Sequence, residues 1–297
     1  MTEQARDDRP AITQDMINLF DDYTHLSLDR RKFMDNLAKL AGSVTAATAA
    51  AALMASNAQA QGLTAETDPN LAIADVTYPG AKGEMKGYLV IPAAGGTYGT
   101  VIVVHENRGL NAHIKDVARR VALEGFITLA PDFLSDLGGT PADEEVARGM
   151  FSNLSASDVA ANGVATVAYL KTLPNVTGKV GAMGFCWGGG TVNNLAVAAP
   201  DLAAAVAYYG GQPAAADVPK IKAKLLLHYA GLDDRINAGI PAFEEALKAA
   251  GTDYQLFIYD GVNHAFNNDT SAARYNEEAA DLAWSRTVEL FKETLST

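Results

Sequence analysis

The chain has 297 residues, 48% of them apolar, and its 23 basic and 35 acidic side chains give a net charge of −12. An acidic chain with no basic block argues against a nucleic-acid partner, because neutralising phosphates takes clustered Lys and Arg. The lone cysteine, Cys186, rules out an internal disulfide. No Cys/His spacing suggests a zinc site, so no metal is expected. No apolar run reaches membrane-spanning length without polar interruption, so stable membrane insertion is not expected either.

Residues 1–60 read as an N-terminal leader. Asp29-Arg30-Arg31-Lys32-Phe33-Met34 precedes a mildly apolar, Ala-rich stretch from Leu37 to Ala55, followed by Ala58-Gln59-Ala60. Paired arginines, a weak apolar region and an Ala-x-Ala site are the pattern of a twin-arginine export signal, with cleavage after Ala60. That reading predicts a periplasmic protein and the export machinery as a partner. The long segment from Met1 to Leu28 carries an amphipathic pattern of its own at Met16, Ile17, Phe20 and Tyr23. The alternative is therefore a retained helical arm packing on the body or on another subunit. Oligomeric state is left open.

Residues 61–297 read as one α/β domain. Ile73–Pro79 and Glu84–Ile91 alternate as two opening strands around a Gly-containing turn. Val101-Ile102-Val103-Val104 is a β-branched run, as in a strand buried on both faces. It ends in the polar loop His105-Glu106-Asn107-Arg108-Gly109-Leu110. Asn111 can cap the next helix, where Ile114, Val117, Ala118, Val121 and Ala122 fall at helical spacing. Phe126–Ala130 is a strand stopped by Pro131. Residues 131–156 form a long excursion with a short helix around Asp143–Phe151, long enough to wall or cover a site. Ser157–Leu173 is a helix and Lys179–Gly184 a strand. Strands at Ala203–Tyr209, Ala223–Tyr229 and Asp253–Tyr259, a helix at Ile240–Ala250 and a terminal helix to Leu295 follow. Trp284, Val288, Phe291 and Leu295 form the expected core face of that last helix. Strands alternating with helices predict a mostly parallel sheet covered on both faces.

The chemistry centres on Gly184-Phe185-Cys186-Trp187-Gly188, between the strand ending at Gly184 and a small-residue helix over Gly189–Ala199. A nucleophile between glycines at a strand–turn–helix junction is a nucleophile elbow: the glycines remove the Cβ atoms that so sharp a turn would press together. Asp233 follows the apolar run Leu225-Leu226-Leu227-His228-Tyr229, and His264 lies in the loop after Gln255–Tyr259. Nucleophile, acid, base is the chain order of α/β-hydrolase triads. Asp234 is the alternative acid. His105 is expected to support its loop, and His25, His113 and His228 to be structural. Arg108, Arg148 and Arg235 could meet an anionic substrate group, Arg148 first.

These motifs resemble the dienelactone hydrolase family (carboxymethylenebutenolidase-like). Gly184-Phe185-Cys186-Trp187-Gly188-Gly189, Gly231-Leu232-Asp233 and Asn263-His264-Ala265-Phe266 carry the resemblance, which spans roughly Leu71 to Leu295. It implies an α/β-hydrolase fold, no cofactor, and hydrolysis of a small lactone or ester by a thiol nucleophile. It further implies that Glu106 is the strand-end glutamate and that the backbone N–H groups of Trp187 and Asn107 form the oxyanion hole. One feature departs: Asn268 stands where the family has an arginine that binds substrate carboxylate, and Arg148 corresponds to a second one only loosely. A helix starting at Gly188 favours the Cys186 thiolate, His264 handles its proton, Asp233 fixes the imidazole, and Glu106 restrains the resting thiol. The alternatives are a broad carboxylesterase or thioesterase, and a non-catalytic binding module. A redox sensor lacks a second cysteine to resolve a sulfenate.

Overall fold

The computed structural model describes residues 11–26, 28–55 and 62–296. Eight strands form one sheet in the order β1-β2-β4-β3-β5-β6-β7-β8. They are β1 (Leu71–Pro79), β2 (Glu84–Pro92), β3 (Tyr98–Val104), β4 (Ile127–Asp132), β5 (Val176–Phe185), β6 (Ala204–Tyr208), β7 (Lys224–Ala230) and β8 (Tyr254–Tyr259). β1 and β2 pair antiparallel at one edge, β2 runs antiparallel to β4, and the remaining pairs are parallel.

The helices of the body divide between the two faces, as the continuous apolar runs of the central strands require. Helix α4 (Ala112–Leu123) and the terminal helix α10 (Glu277–Leu295) cover one face, where Ile114, Val117 and Val121 meet Phe126, Phe291 and Leu295. Helices α6 (Ala156–Thr172), α7 (Trp187–Ala198) and α9 (Ile240–Ala250) cover the other with Val167, Leu170, Val192, Leu195, Phe243 and Leu247. Each such side chain contributes about 1.5–3 kcal/mol by leaving water. The short helices α5 (Glu144–Met150) and α8 (Asp234–Asn237) lie in loops beyond strand ends.

The predicted core face of α10 is shifted. Its buried residues are Ala279, Ala280, Ala283, Thr287, Phe291 and Leu295, while Trp284 and Val288 are half-buried. A polar residue holds the centre because Thr287 Oγ1 donates to Ala283 O (2.9 Å) and lies 2.7 Å from the Tyr208 hydroxyl and 3.3 Å from His228 Nε2. Hydrophobicity alone misplaces such a helix when the core contains a hydrogen-bonded group.

Residues 11–55 form helices α1 (Gln14–His25), α2 (Arg30–Ala41) and α3 (Val44–Met54). Each begins with a side-chain cap: Thr13 accepts from Met16 N, Asp29 from Lys32 N and Ser43 from Ala46 N. Gly42, at φ 80°, ends α2 in the left-handed conformation. Met16, Ile17, Phe20 and Tyr23 are buried with Phe33, Leu37, Ala47 and Met54 in a core of the arm's own. The arm is also fastened to the body. Arg274 pairs with Asp21 (3.3 Å) and lies over the Phe20 ring, Tyr23 donates to Glu145 (2.7 Å), and Ser271 donates to Met54 O (3.2 Å). Arg30 and Arg31 stay exposed, and the Ala58–Ala60 cleavage motif lies outside the described residues. Among the described residues no single helix is long and apolar enough to cross a membrane; α2 and α3 pass only as a pair bent by 109°.

Candidate active site

The parallel register brings the chemical groups to one edge. Val104 of β3 pairs with Gly184 of β5, so Glu106 and Cys186 each stand two residues past the same rung. Ala230 of β7 pairs with Tyr259 of β8, and Asp233 and His264 lie in the loops that follow. Cys186 sits at φ 56°, ψ −116°, a strained conformation for a residue with a Cβ, and its N–H is held by Tyr208 O at 3.0 Å. A Cβ on Gly188 would meet His105 O at 2.4 Å and Val104 O at 2.5 Å, and one on Gly184 would meet Gly188 O at 2.4 Å. Gly188 therefore lets the elbow press against β3, and Gly184 lets the start of α7 fold back onto β5, as their spacing predicts. Gly188→Ala is expected to cost at least about 3 kcal/mol, since the obstacles are backbone atoms that cannot rotate away. Urea unfolding measures it.

His264 Nδ1 lies 2.5 Å from Asp233 Oδ2, and both residues are buried. Asp233, rather than Asp234, is the acid that meets the imidazole. His264 Nε2 is buried with no hydrogen-bond partner and belongs with the Cys186 sulfur to a cluster whose ligating atoms all lie within 4.8 Å. Burial alone would lower the His264 pKa, but the Cys186 thiolate and then the Asp233 carboxylate outweigh it and raise it to about 10. The same pairing overcomes burial at Asp233 and holds its carboxyl below the usual range. An imidazole held by a buried carboxylate beside a thiol is an arrangement that can activate a sulfur nucleophile.

Glu106 Oε2 accepts from Asn268 Nδ2 at 3.0 Å, and Asn268 is fully buried. The residue at the expected arginine position thus holds the glutamate and does not face the cavity. Asn268→Ala is expected to cost about 1–3 kcal/mol by leaving Oε2 without that donor, read as a lower denaturation midpoint. His105 supports its loop as expected: Nε2 accepts from Phe133 N (3.1 Å), which leaves Nδ1 to donate to Glu106 O (2.7 Å). The Trp187 amide, first in α7, has no carbonyl within the helix to bond. Asn107 bonds Thr24 O through its side chain (3.0 Å).

A cavity of about 840 Å³ opens over Cys186, His264, Asn107 and Trp187. Phe151, Leu154 and Val159 from the 131–156 excursion and α6 give it an apolar wall, which fits the length of that excursion. The arginines differ. Arg108 is buried against Glu144 (2.9 Å) and does not line this cavity, so its charge is neutralised elsewhere. Arg148 does line it, but is held by Glu145 (3.0 Å) and lies over the Tyr23 ring. Arg235 also lines it, 4.0 Å from Asp233 Oδ1.

Two groups at the site were not expected. His25, at the end of α1, places Nδ1 3.8 Å from Cys186 Sγ, with its ring edge-on to that of His264 at 4.6 Å. The Tyr209 hydroxyl is buried without a hydrogen-bond partner, at φ 39° beside the elbow. Neither is signalled by a motif, because both depend on which segments pack over the elbow. His113, 3.2 Å from Asp269, and His228, between Tyr259 and Thr287, are structural as expected.

The model of the Dienelactone hydrolase family matches residues 85–295. A protein of Synechocystis sp. named for carboxymethylenebutenolidase is 36% identical over 239 residues, which cover 74% of this chain and 96% of that protein. A Klebsiella pneumoniae structure named for dienelactone hydrolase superposes with a TM-score of 0.69 at 27% identity, covering 75% of this chain and 99% of its own. A dienelactone hydrolase-like promiscuous phosphotriesterase from metagenomic libraries gives 0.68 at 26% identity, covering 76% and 100%. The family match begins past α1–α3, so the arm that carries His25 lies outside it. The chain belongs to the dienelactone hydrolase family and is a hydrolase on the α/β-hydrolase fold.

Proposed function

We propose that the chain hydrolyses small esters or lactones through a Cys186–His264–Asp233 triad and an acyl-enzyme. The observation that carries this is the convergence of a strained elbow cysteine, an imidazole and a buried carboxylate at the mouth of one cavity. The Cys186 thiolate attacks the ester carbon, and the oxyanion is received by the N–H groups of Trp187 and Asn107. The imidazolium of His264 gives its proton to the leaving alkoxide, leaving a thioester on Cys186. His264 then takes a proton from water, whose oxygen attacks the thioester and returns the thiolate. Asp233 holds the imidazole tautomer through both steps. Glu106, fixed by Asn268, lines the same small pocket as Cys186, and its carboxylate makes negative charge on the sulfur more costly, a cost that the His264 imidazolium offsets.

The substrate inferred is small and mostly apolar. Asn268 is turned to Glu106, Arg108 and Arg148 are paired with glutamates, and Phe151, Leu154 and Val159 line the cavity. Short-chain esters, thioesters, enol lactones and a phosphotriester form the test panel. Intact-mass analysis after rapid quenching should show one acyl group on Cys186. Turnover of panel esters with the acyl group on another residue would defeat the thiol mechanism, and no turnover of any would favour a binding module.

Export belongs to the same proposal. The exposed Arg30-Arg31 pair, followed by the Ala-rich α3, supports a twin-arginine signal and a periplasmic destination. Cleavage after Ala60 would remove α1–α3 and with them the His25 wall of the cavity. N-terminal sequencing of protein from the native cell decides it: a start at Gln61 supports export, and a start at Met1 refutes processing.

A further inference from the structure

We propose that the full-length chain binds one zinc-class divalent cation between His25 of the arm and Cys186 and His264 of the body, and that this ion caps the thiol and staples the arm in place. The donor set is one thiolate and two imidazoles, the mixture that tetrahedral zinc prefers, with the fourth position open to water. Zn–S near 2.3 Å and Zn–N near 2.0 Å put such ligands roughly 3.3–3.6 Å apart around the ion. Here the sulfur is 3.8 Å from His25 Nδ1, and the three ligating atoms all lie within 4.8 Å, so small side-chain rotations close the site.

Further features fit a ligand at this point. His264 is 2% exposed, and its Nε2 faces the cluster with no hydrogen-bond partner. Its Nδ1 is bound to the Asp233 carboxylate, the outer-shell partner that orients metal-bound histidines. The arm is held in the turn that leads into His25, by Asn107 on Thr24 O and by Arg274 on Asp21. Sequence spacing cannot disclose the trio, since it is assembled from residues 25, 186 and 264 on three separate segments.

Binding requires the sulfur as thiolate and the ligating imidazole nitrogens unprotonated, so it is coupled to proton release. The ion occupies the sulfur lone pair that would attack an ester. It therefore silences hydrolysis in the chain that retains its arm, and loss of residues 1–60 would dismantle the site. This consequence rests on the triad reading, whereas ion binding itself does not.

The test uses full-length protein freed of metal with a chelator and titrated with Co²⁺ and then Zn²⁺. One equivalent of Co²⁺ should produce a thiolate-to-metal charge-transfer band that is absent in Cys186→Ala. His25→Ala and the bulkier His25→Gln should each weaken Zn²⁺ binding by more than ~100-fold, beyond what loss of an outer-shell partner costs, as read by competition with a chromogenic chelator. Zn²⁺ should slow hydrogen exchange along α1 in the wild type and not in the His25 variants. No charge-transfer band, or His25 variants that bind as tightly as wild type, would overturn the site. If the band and the His25 dependence appear while chelated enzyme hydrolyses no ester, the metal site stands and the Cys186 triad reading fails.

Discussion

Cys186→Ala is expected to lower hydrolysis of the best panel ester by at least about 10⁴-fold in chelator-treated protein, with the acyl adduct gone from the mass spectrum. The loss should be this large because no second nucleophile stands ready: Cys186 is the chain's one cysteine, and Tyr209 is held far from ionisation by burial and by the charges of Glu106 and Cys186. The fold should survive. Alanine accepts the same backbone angles about as well as cysteine, and the contacts that shape the elbow come from Gly184, Gly188 and β3. Near-ultraviolet circular dichroism and the urea midpoint should therefore stay near wild type while turnover disappears. Cys186→Ser separates geometry from charge. Its neutral hydroxyl withdraws the negative partner that most raises the His264 pKa, so that pKa should fall from about 10 toward the ordinary histidine range. Full activity in Cys186→Ala, in protein from a host lacking esterase background, would remove the thiol from the mechanism.

What could be read in advance followed from how local each constraint is. The elbow was legible because a strand–turn–helix reversal needs glycine where backbones touch, and those glycines are adjacent in sequence. Asp233 and His264 were legible because a parallel sheet delivers successive strand ends to one edge, so order along the chain becomes proximity in space. The substitution at residue 268 was visible, but its task was not, since the amide reaches Glu106 across 162 positions. Thr287 was hidden for a similar reason: its hydroxyl belongs to the core only because Tyr208 and His228 need a partner there. The arm is the instructive case. Its buried stripe of Met16, Ile17, Phe20 and Tyr23 was readable as periodicity, but periodicity does not say what a helix lies against. His25 therefore looked like a bystander, although the fold sets it against the sulfur.

The arm also connects location with chemistry. A leader that only addressed the chain for export would have no need to bury Tyr23 against Glu145 or to pair Asp21 with Arg274. These contacts close one side of the cavity before any processing step. An arm that docks and is later removed would keep a reactive thiol covered during transit and expose it on arrival. In metal-free protein, an arm that is kept would instead narrow the cavity with Thr24, His25 and Leu26 and select smaller substrates. Comparing ester chain-length preference in the full chain and in protein purified from the native cell distinguishes these outcomes.

Asp233→Asn is expected to reduce kcat by roughly 10³–10⁴-fold, because the amide can present its NH₂ to Nδ1 and hold the wrong tautomer. The variant should also move the alkaline limb of the rate profile. In the wild type His264 keeps the proton it gives to the leaving group until about pH 10. Asparagine removes the carboxylate that helps hold it, so the limb should shift to lower pH. The stability profile carries the same sign. The folded value lies above the unfolded value of about 6.5, so the protonated imidazole contributes fully below that pH. The contribution declines as pH rises toward about 10 and is lost above it. In the asparagine variant the decline should finish earlier, and the difference in urea stability between the two proteins should narrow above pH 10. An unshifted alkaline limb together with near-normal kcat would mean that Asp233 neither orients nor charges the imidazole, and its 2.5 Å contact with His264 would then be structural only.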